Sequence, residues 1–305
     1  MALNSPTVLI FGGTGFVGRH IASELSKKGY RIKIPTRARE QQKSQLIVLP
    51  NVELLHVSEF NAAHFSRLFQ NVDYVINCVG ILHEKFKGEF TNIHASLVKQ
   101  IVDGCNASHV KKLIHISALK ASSNAPSEYL RSKAMGEQMI HESLNNNISA
   151  TILQPSVIFG EGDSFLTMFA KLGGLLPILP LAKPLAQFQP VWIGDLVNEV
   201  ISGIHSDSER EIKTICGPKR YNLKELVSYA CSFQSFSPII IGLPDFIAFT
   251  QARIFELLGM RLITRDNLKS MMVDNVCADN CVTEQTSRRA IEEIAPSYLG
   301  QNTTR

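Results

Sequence analysis

The chain has 305 residues, of which 45% are hydrophobic and 19% are charged, and its formal net charge at pH 7 is +4. This length and apolar content support one large folded domain, or one domain with a smaller lobe, and exclude a disordered chain. The basic residues are scattered rather than clustered, which argues against a nucleic-acid-binding protein.

The six cysteines form no C-x-x-C pair, and several of them lie in apolar runs; they are Cys78, Cys105, Cys216, Cys231, Cys277 and Cys281. In such positions cysteine behaves as a small core residue. We therefore expect unpaired cysteines, a reducing compartment and no metal site.

Two stretches, 172–188 and 238–260, are apolar enough to be candidate membrane spans. Both are interrupted by prolines and charged residues, so neither supplies about 20 consecutive apolar residues. A strand is predicted from about residue 7, which leaves no room for a signal peptide or a presequence. The sequence therefore predicts a cytoplasmic protein without a transmembrane segment; a mature imported chain is the alternative.

The first turn of the chain, FGGTGFVG at 11–18, lies between a predicted strand at 7–10 and a predicted helix that includes 19–25. Its glycines follow the spacing G-x-x-G-x-x-G. A buried strand that ends in glycines and opens a helix lets backbone N–H groups approach a pyrophosphate. We predict a dinucleotide site here, formed by Gly12, Thr14, Gly15, Phe16, Val17 and Gly18; a tight turn without a ligand is the alternative.

The end of the second predicted strand, at 30–34 and closed by Pro35, is expected to select the cofactor. NAD-specific sites of this type usually place an Asp or Glu here, whereas this chain offers Thr36, Arg37 and Arg39. A basic residue suits a 2′-phosphate. We therefore predict that Arg37 binds NADP(H) in preference to NAD(H); a simple loop cation is the alternative, and it leaves NAD(H) open.

Predicted strands and helices then alternate. The strands are at 52–57, 72–79, 112–117 and 149–154, the last stopped by Pro155, and the helices are at 62–70, 89–105 and 127–144. This alternation indicates parallel βαβ units. The fold class is therefore α/β, with a Rossmann-like doubly wound parallel sheet over 1–155.

Past Pro155 the regular alternation is lost. The pattern predicts a helix at 165–171, an apolar loop to 189, a strand at 191–193, a helix from an Asp195 N-cap to 204, a strand at 211–216 and a helix at 222–231. We predict a smaller mixed C-terminal lobe over 156–305 for a substrate or partner, with some elements rejoining the Rossmann sheet.

The helix predicted at 127–144 carries Tyr129 and Lys133, which an i, i+4 spacing places on one face. Because a neighbouring ammonium lowers the pKa of a phenol, Tyr129 is predicted to exchange a proton while Lys133 holds the ribose. This spacing is common by chance. Its position after the fifth strand of a glycine-loop domain supports the assignment.

Several motifs together resemble the extended short-chain dehydrogenase/reductase superfamily: the glycine loop, NCVG at 77–80, the Tyr129/Lys133 pair and QPVWIGD at 189–195. Four further motifs resemble the atypical branch of that superfamily, which contains the NADPH-binding accessory subunit of respiratory complex I and its bacterial relatives. They are IHISA at 114–118, YLRSKAMGE at 129–137, QPSVIFG at 154–160 and ITRD at 263–266. The resemblance covers about 7–272. It implies further cofactor contacts from Cys78, Val79, Gly80 and Pro155.

The chain departs from the active members of that superfamily. The hydroxyl that orients a substrate carbonyl after the fifth strand is replaced by Ala118, and Ser117 is the nearest substitute, with Ser122 and Ser123 as alternatives. A supporting Asn is replaced by His94, which we expect to be a structural hydrogen-bonding residue. An acidic residue near the adenine is replaced by Ser58.

Two hypotheses follow. In the first, the protein binds NADP(H) with weak or no turnover and docks on a respiratory complex I or quinone-related assembly, peripheral at the inner membrane; Ala118 favours it. In the second, it is an active NADP(H)-dependent oxidoreductase or epimerase on a small carbonyl or quinone-pathway substrate. Its catalytic residues would be Tyr129, Lys133 and Ser117.

A helix predicted at 245–258 has apolar residues around more of its circumference than one core-facing stripe requires. We expect some of them to face outward with the 172–188 loop, as a surface for a membrane-bound partner or the membrane interface. Burial of the helix on two sides is the alternative.

Overall fold

The computed structural model describes residues 5–37, 44–57, 62–259, 263–278 and 287–300. Its strands are β1 (Thr7–Phe11), β2 (Arg31–Thr36), β3 (Val52–His56), β4 (Tyr74–Asn77), β5 (Lys112–Ile116), β6 (Ser149–Pro155), β7 (Ile158–Phe159), β8 (Ile178–Ala182), β9 (Gln187–Phe188), β10 (Val191–Trp192), β11 (Arg210–Ile215), β12 (Tyr221–Asn222) and β13 (Ile239–Leu243).

The helices of the described residues are α1 (Phe16–Lys27), α2 (Ser44–Ile47), α3 (Ala62–Leu68), α4 (Glu89–Thr91), a π-helical turn (Asn92–Ser96), α5 (Leu97–Asn106), α6 (Glu128–Ser143), α7 (Phe165–Leu175), α8 (Ile193–His205), α9 (Leu223–Cys231), α10 (Asp245–Leu257), α11 (Arg265–Ser270), α12 (Ile291–Ile294) and α13 (Pro296–Leu299). The helix predicted at 89–105 is therefore one run of α4, the π-helical turn and α5. In the part of the chain that the structure covers, no helix combines the length and apolar character needed to cross a membrane.

Seven strands form the central sheet, in the order β11-β6-β5-β4-β1-β2-β3. The neighbouring strands from β3 to β6 are parallel. Every residue of β1 and β5 is buried, as expected for strands that are covered on both faces. The predicted Rossmann-like doubly wound fold is confirmed. The strand order reverses between β1 and β4, and ligands of such sheets bind in the crevice at the carboxyl ends of the strands there.

The strand β2 continues through Pro35, which was expected to close it. Pro35 lies opposite Leu55 of β3, whereas the pairing of β2 with β1 ends at Lys33. Beyond Lys33 the strand therefore behaves as an edge, where the missing N–H of proline costs no ladder hydrogen bond.

Two further expectations were wrong because their partners are distant in sequence. The apolar segment predicted as a loop to 189 contains β8, which pairs in parallel with β13. Asp195 is not an N-cap, because α8 begins at Ile193. Its carboxylate instead accepts a hydrogen bond from the backbone N–H of Arg289 at 2.9 Å.

The described residues of 1–123, 132–154 and 196–213 form one compact unit, and those of 124–131, 155–195 and 214–305 form a second. The segment 196–213 carries most of α8 and β11 and thus belongs to the first unit, although it follows residue 155. The assignment of 1–155 to cofactor binding and of 156–305 to a substrate or partner stays a prediction. The second unit has its own core, which contains Phe159, Leu166, Leu179, Leu223, Leu226 and Val227.

Within the second unit, a disulfide joins Cys216, directly after β11, to Cys277. The expectation of unpaired cysteines is therefore wrong for this pair. Gln189 ties the same two segments together, since its Nε2 donates to the Gly217 carbonyl at 2.8 Å and its Oε1 accepts from the Cys277 N–H at 3.0 Å. Cys105 and Cys231 are buried free thiols, as predicted. Cys281 lies outside the described residues.

The second unit also exposes many large apolar side chains. Helix α10 buries only Ala248 and Ala252, whereas Phe246 is 73% and Leu257 is 78% exposed. We name the following residues the apolar face: Ile178, Ile239, Ile241, Phe246, Ile247, Ile254, Leu257 and Leu258. The prediction that part of this helix faces outward is confirmed, and its use as a docking surface stays a prediction.

Candidate nucleotide-binding site

The glycine loop packs so closely that side chains would not fit. Gly12 has φ of +76°, and a β-carbon on Gly18 would lie 2.2 Å from the Gly12 oxygen. A β-carbon on Gly12 would lie 3.0 Å from the carbonyl carbon of Cys78. The loop therefore lies directly against the segment that follows β4, at the point where the strand order reverses.

Helix α1 begins at Phe16, directly after this loop. In this fully described helix no side chain caps the N-terminus, and no acidic residue stands in the first turn. Its first N–H groups and the positive end of its dipole therefore remain available to an anion. Together with the close packing of the glycines, this fits the pyrophosphate of a dinucleotide at Gly12, Thr14, Gly15, Phe16, Val17 and Gly18.

Arg37 is exposed directly after β2, the strand that lies beside β1. It therefore stands at the same edge of the sheet as the glycine loop, where the adenosine ribose would lie. Its preference for NADP(H) stays a prediction. Arg39 and Ser58 lie outside the described residues.

The segment after β4 is held by its own side chains. The Oδ1 of Asn77 accepts from the Val79 N–H at 3.1 Å, and its Nδ2 lies 3.1 Å from Nδ1 of His115. Beyond them, a β-carbon on Gly80 would lie 3.3 Å from Nζ of Lys133. The structure thus brings Cys78, Val79 and Gly80 against the glycine loop on one side and the Lys133 ammonium on the other.

Lys133 is buried, and its Nζ donates to the Ile116 carbonyl at 2.9 Å. Burial lowers the pKa of Lys133 to about 8, although Cys78 and Glu137 act to raise it. Tyr129 lies one helical turn earlier on α6, and burial raises its pKa to about 12. The expectation that Lys133 lowers the pKa of Tyr129 is therefore wrong.

The Ser117 hydroxyl does not stand free beside Ala118. It donates a short hydrogen bond to the Glu137 carboxylate, which also accepts from Nε2 of Gln154 at 2.8 and 3.0 Å. Ala118 is buried and has no hydroxyl. The catalytic assignment of Ser117 stays a prediction, and this contact weakens it. The alternatives Ser122 and Ser123 are exposed.

His94 lies in the π-helical turn and is buried. Its Nε2 accepts from the Ile81 N–H at 3.1 Å, and its Nδ1 lies 2.8 Å from the Ser132 hydroxyl. Burial, with further contributions from Lys133 and His115, lowers the pKa of His94 to about 2. A neutral His94 therefore fixes the segment after Gly80 to helix α6, which agrees with the structural role expected for it.

Sequence reasoning missed the residues that hold these elements in place. Asp266 accepts from the backbone N–H groups of Glu128 and Tyr129, at 2.7 and 3.0 Å, and so caps α6 from far along the chain. Glu137 and Gln154 were also overlooked, although both stand within the motifs noted above. Pro155 is buried as the last residue of β6. The sequence offers no local signal for a cap that is 138 residues away.

Comparisons with known proteins agree with this geometry. Residues 8–173 match the family described as the NAD dependent epimerase/dehydratase family. The chain is similar to NADH dehydrogenase (ubiquinone) 1 alpha subcomplex subunit 9, mitochondrial, of Mus musculus, with 28% identity over 274 residues, 88% of this chain and 72% of the relative. The protein of that name in Dictyostelium discoideum is 31% identical over 198 residues, 63% of this chain and 54% of its own length.

The solved structure of UDP-glucuronic acid 4-epimerase from Bacillus cereus, in complex with UDP-glucuronic acid and NAD, has the same fold. Its TM-score is 0.67 at 17% identity, and the match covers 78% of this chain and 86% of that one. The resemblance to the short-chain dehydrogenase/reductase superfamily and its complex I branch, which the sequence motifs indicate, is confirmed.

Proposed function

This chain belongs to the NAD dependent epimerase/dehydratase family, and on that premise we propose that it binds NADP(H) more tightly than NAD(H) and turns it over slowly or not at all. The uncapped start of α1 and the glycine loop would hold the pyrophosphate. Arg37 would bind the 2′-phosphate and Lys133 the nicotinamide ribose. When bound, the nicotinamide ring can give or take a hydride.

The observation that carries the proposal of weak turnover is Ala118, the residue at the position where a substrate-orienting hydroxyl is expected. The neighbouring Ser117 cannot readily replace it, because its hydroxyl already donates to Glu137. Burial also raises the pKa of Tyr129 to about 12, which makes the phenolate costly to form. Loss of one preorganised donor at a developing oxyanion lowers the rate by about 10² to 10³.

We further propose that the protein docks on a respiratory complex I or quinone-related assembly, peripheral at the inner membrane. Its relatives in mouse and Dictyostelium are named as subunits of NADH dehydrogenase. The apolar face of the second unit consists of eight exposed large apolar side chains, those of β8, β13 and α10 and that of Leu258 next to it. Exposed apolar surface of this kind marks interaction sites, so this face would contact a membrane-bound protein.

Mass spectrometry of the nucleotide that copurifies with the native protein tests the first proposal, and NADP(H) is the expected result. Fractionation of the source cells tests the second. The wild type should sediment with membranes, and Phe246→Glu/Leu257→Glu should move to the soluble fraction. Val48→Glu is the matched control, since Val48 is 77% exposed in the other unit. If both variants sediment with membranes to the same extent, the apolar face is not the docking surface. If the wild type binds lipid vesicles that contain no protein, the face contacts the membrane itself rather than a membrane-bound protein.

The second candidate is an active NADP(H)-dependent oxidoreductase or epimerase, and the presence of Tyr129 and Lys133 on α6 favours it. Tyr129 would then transfer the proton and Lys133 would orient the ribose. An ordinary turnover rate that is lost in Tyr129→Phe would select this candidate.

A further inference from the structure

A polar cluster lies beneath Lys133 in the first unit, and cofactor binding alone does not explain it. It consists of Glu137 on α6, Ser117 after β5 and Gln154 in β6. Lys133 and Glu137 are four residues apart on α6, so they lie on one stripe of the helix. The carboxylate and the ammonium are thus held on the same side of α6, against the sheet.

The hydrogen bonds of Glu137 all come from neutral groups. Ser117 donates to Oε1, and Gln154 donates to both carboxylate oxygens. Burial raises the pKa of Glu137, and the two donors, together with Lys133, oppose that rise and favour the charged form. The hydrogen bond from Lys133 goes to the neutral carbonyl of Ile116. Lys133 and Glu137 thus bind consecutive residues, Ile116 and Ser117, so their charged groups lie along the same short segment after β5. Cys78 and, to a smaller extent, Glu137 act to raise the pKa of Lys133 against the effect of burial.

Glu137 also lines a cavity in the first unit. The cavity has a volume of about 420 Å³ and is bounded by α6, β6 and β11. Its titratable and charged lining residues besides Glu137 are His141 and Glu142 of α6 and Arg210 and Glu211 of β11. From the other elements, Cys78 acts to raise the pKa of Lys133, and Lys133 in turn lowers the pKa of His94 and of His115.

We propose that Glu137 is a positioning residue, whose carboxylate keeps Lys133 charged and in place against Gly80 while it holds the Ser117 hydroxyl on the α6 side. The effect on Lys133 is a property of the protein without cofactor. Only its consequence, that NADP(H) affinity depends on Glu137, rests on the proposed function.

The direct test follows the side-chain NMR signal of Lys133 in protein with ¹³C-labelled lysine, without cofactor, as a function of pH. Lys133→Met assigns the signal. The wild-type midpoint is expected at about 8, and Glu137→Gln, which keeps the shape but removes the charge, should lower it by about one pH unit or more. Glu142→Gln is the control, because it removes a carboxylate of the same cavity that accepts from Gln138 and should leave the Lys133 midpoint unchanged. A midpoint in Glu137→Gln equal to that of the wild type would overturn the proposal.

A reciprocal measurement serves if Glu137→Gln does not fold. In Lys133→Met, the carboxyl carbon of Glu137 should titrate at a higher pH than in the wild type, since Lys133 lowers the pKa of that group. An unchanged titration would reject the coupling. NADPH titrations across the same pH range separate this proposal from the proposed function. A shifted Lys133 midpoint without NADPH binding would support the role of Glu137 and reject the cofactor proposal.

Discussion

The backbone N–H of Ile81 donates to Nε2 of His94 at 3.1 Å, so the segment after Gly80 is fixed by a histidine that must stay neutral. Burial lowers the pKa of His94 from 6.5 to about 2. The unfolded chain therefore binds more protons than the folded one between these values. The stabilisation is complete above pH 6.5 and is lost as the pH falls toward the folded-state pKa.

Replacement of His94 by Asn should reduce this pH dependence, because an amide oxygen can accept from Ile81 without titrating. Between pH 5.5 and 4.5, the slope of the unfolding free energy should fall by about 1.4 kcal/mol per pH unit relative to the wild type. Urea denaturation at several pH values measures it. His109→Asn, at an exposed histidine, is the control. Burial and Lys133 lower the pKa of His115 to about 3. His115 therefore contributes a similar pH dependence of the unfolding free energy in the wild type and in His94→Asn.

Replacement of Gly18 by Ala should damage the loop that would receive the pyrophosphate. The new β-carbon would lie 2.2 Å from the Gly12 oxygen and 2.6 Å from Cα of Gly13, so the backbone must move. The unfolding free energy should fall by about 1–3 kcal/mol, and the Kd for NADPH should rise. In Gly300→Ala the new atom would meet only Phe233, at 3.8 Å, and both quantities should stay near their wild-type values. Unchanged NADPH binding in Gly18→Ala would remove this loop from the site.

Arg37→Ala should weaken NADPH binding about 10-fold or more while it leaves NADH binding nearly unchanged, because only NADPH carries the 2′-phosphate. Arg31→Ala is the matched control, since Arg31 is exposed at the opposite end of β2. Calorimetric titration with both cofactors gives the affinities. If the wild type binds both cofactors equally, the assignment of Arg37 to the 2′-phosphate fails.

Ala118→Ser should restore a hydroxyl donor beside the site and raise any carbonyl reduction by about 10²-fold. Ala121→Ser places the same group three residues further along the same segment and should have no such effect. The rate of NADPH oxidation with a panel of small aldehydes, ketones and quinones measures this. Equal rates in the two variants would show that the missing hydroxyl does not limit the reaction.

Local pattern was enough to predict β1, the glycine loop and α1, because the signal lies within about 20 consecutive residues. It also placed Tyr129 and Lys133 on one helix after the correct strand. The pairing of β8 with β13, the disulfide Cys216–Cys277 and the cap that Asp266 provides for α6 all join distant segments. The contact of Ser117 with Glu137 was missed for the same reason, because only the folded chain shows which hydroxyl donates to the half-buried carboxylate of Glu137.

Single-turnover absorbance at 340 nm shows whether the protein holds NADP(H) without appreciable turnover. Wild-type protein loaded with NADPH is mixed with an excess of small carbonyl and quinone acceptors, and the decay of bound NADPH is followed. We expect one tightly bound NADPH per chain whose absorbance does not decay faster than in an acceptor-free control. Oxidation at about 1 s⁻¹ or faster, an ordinary enzymatic rate, that disappears in Tyr129→Phe would contradict it and establish an active reductase.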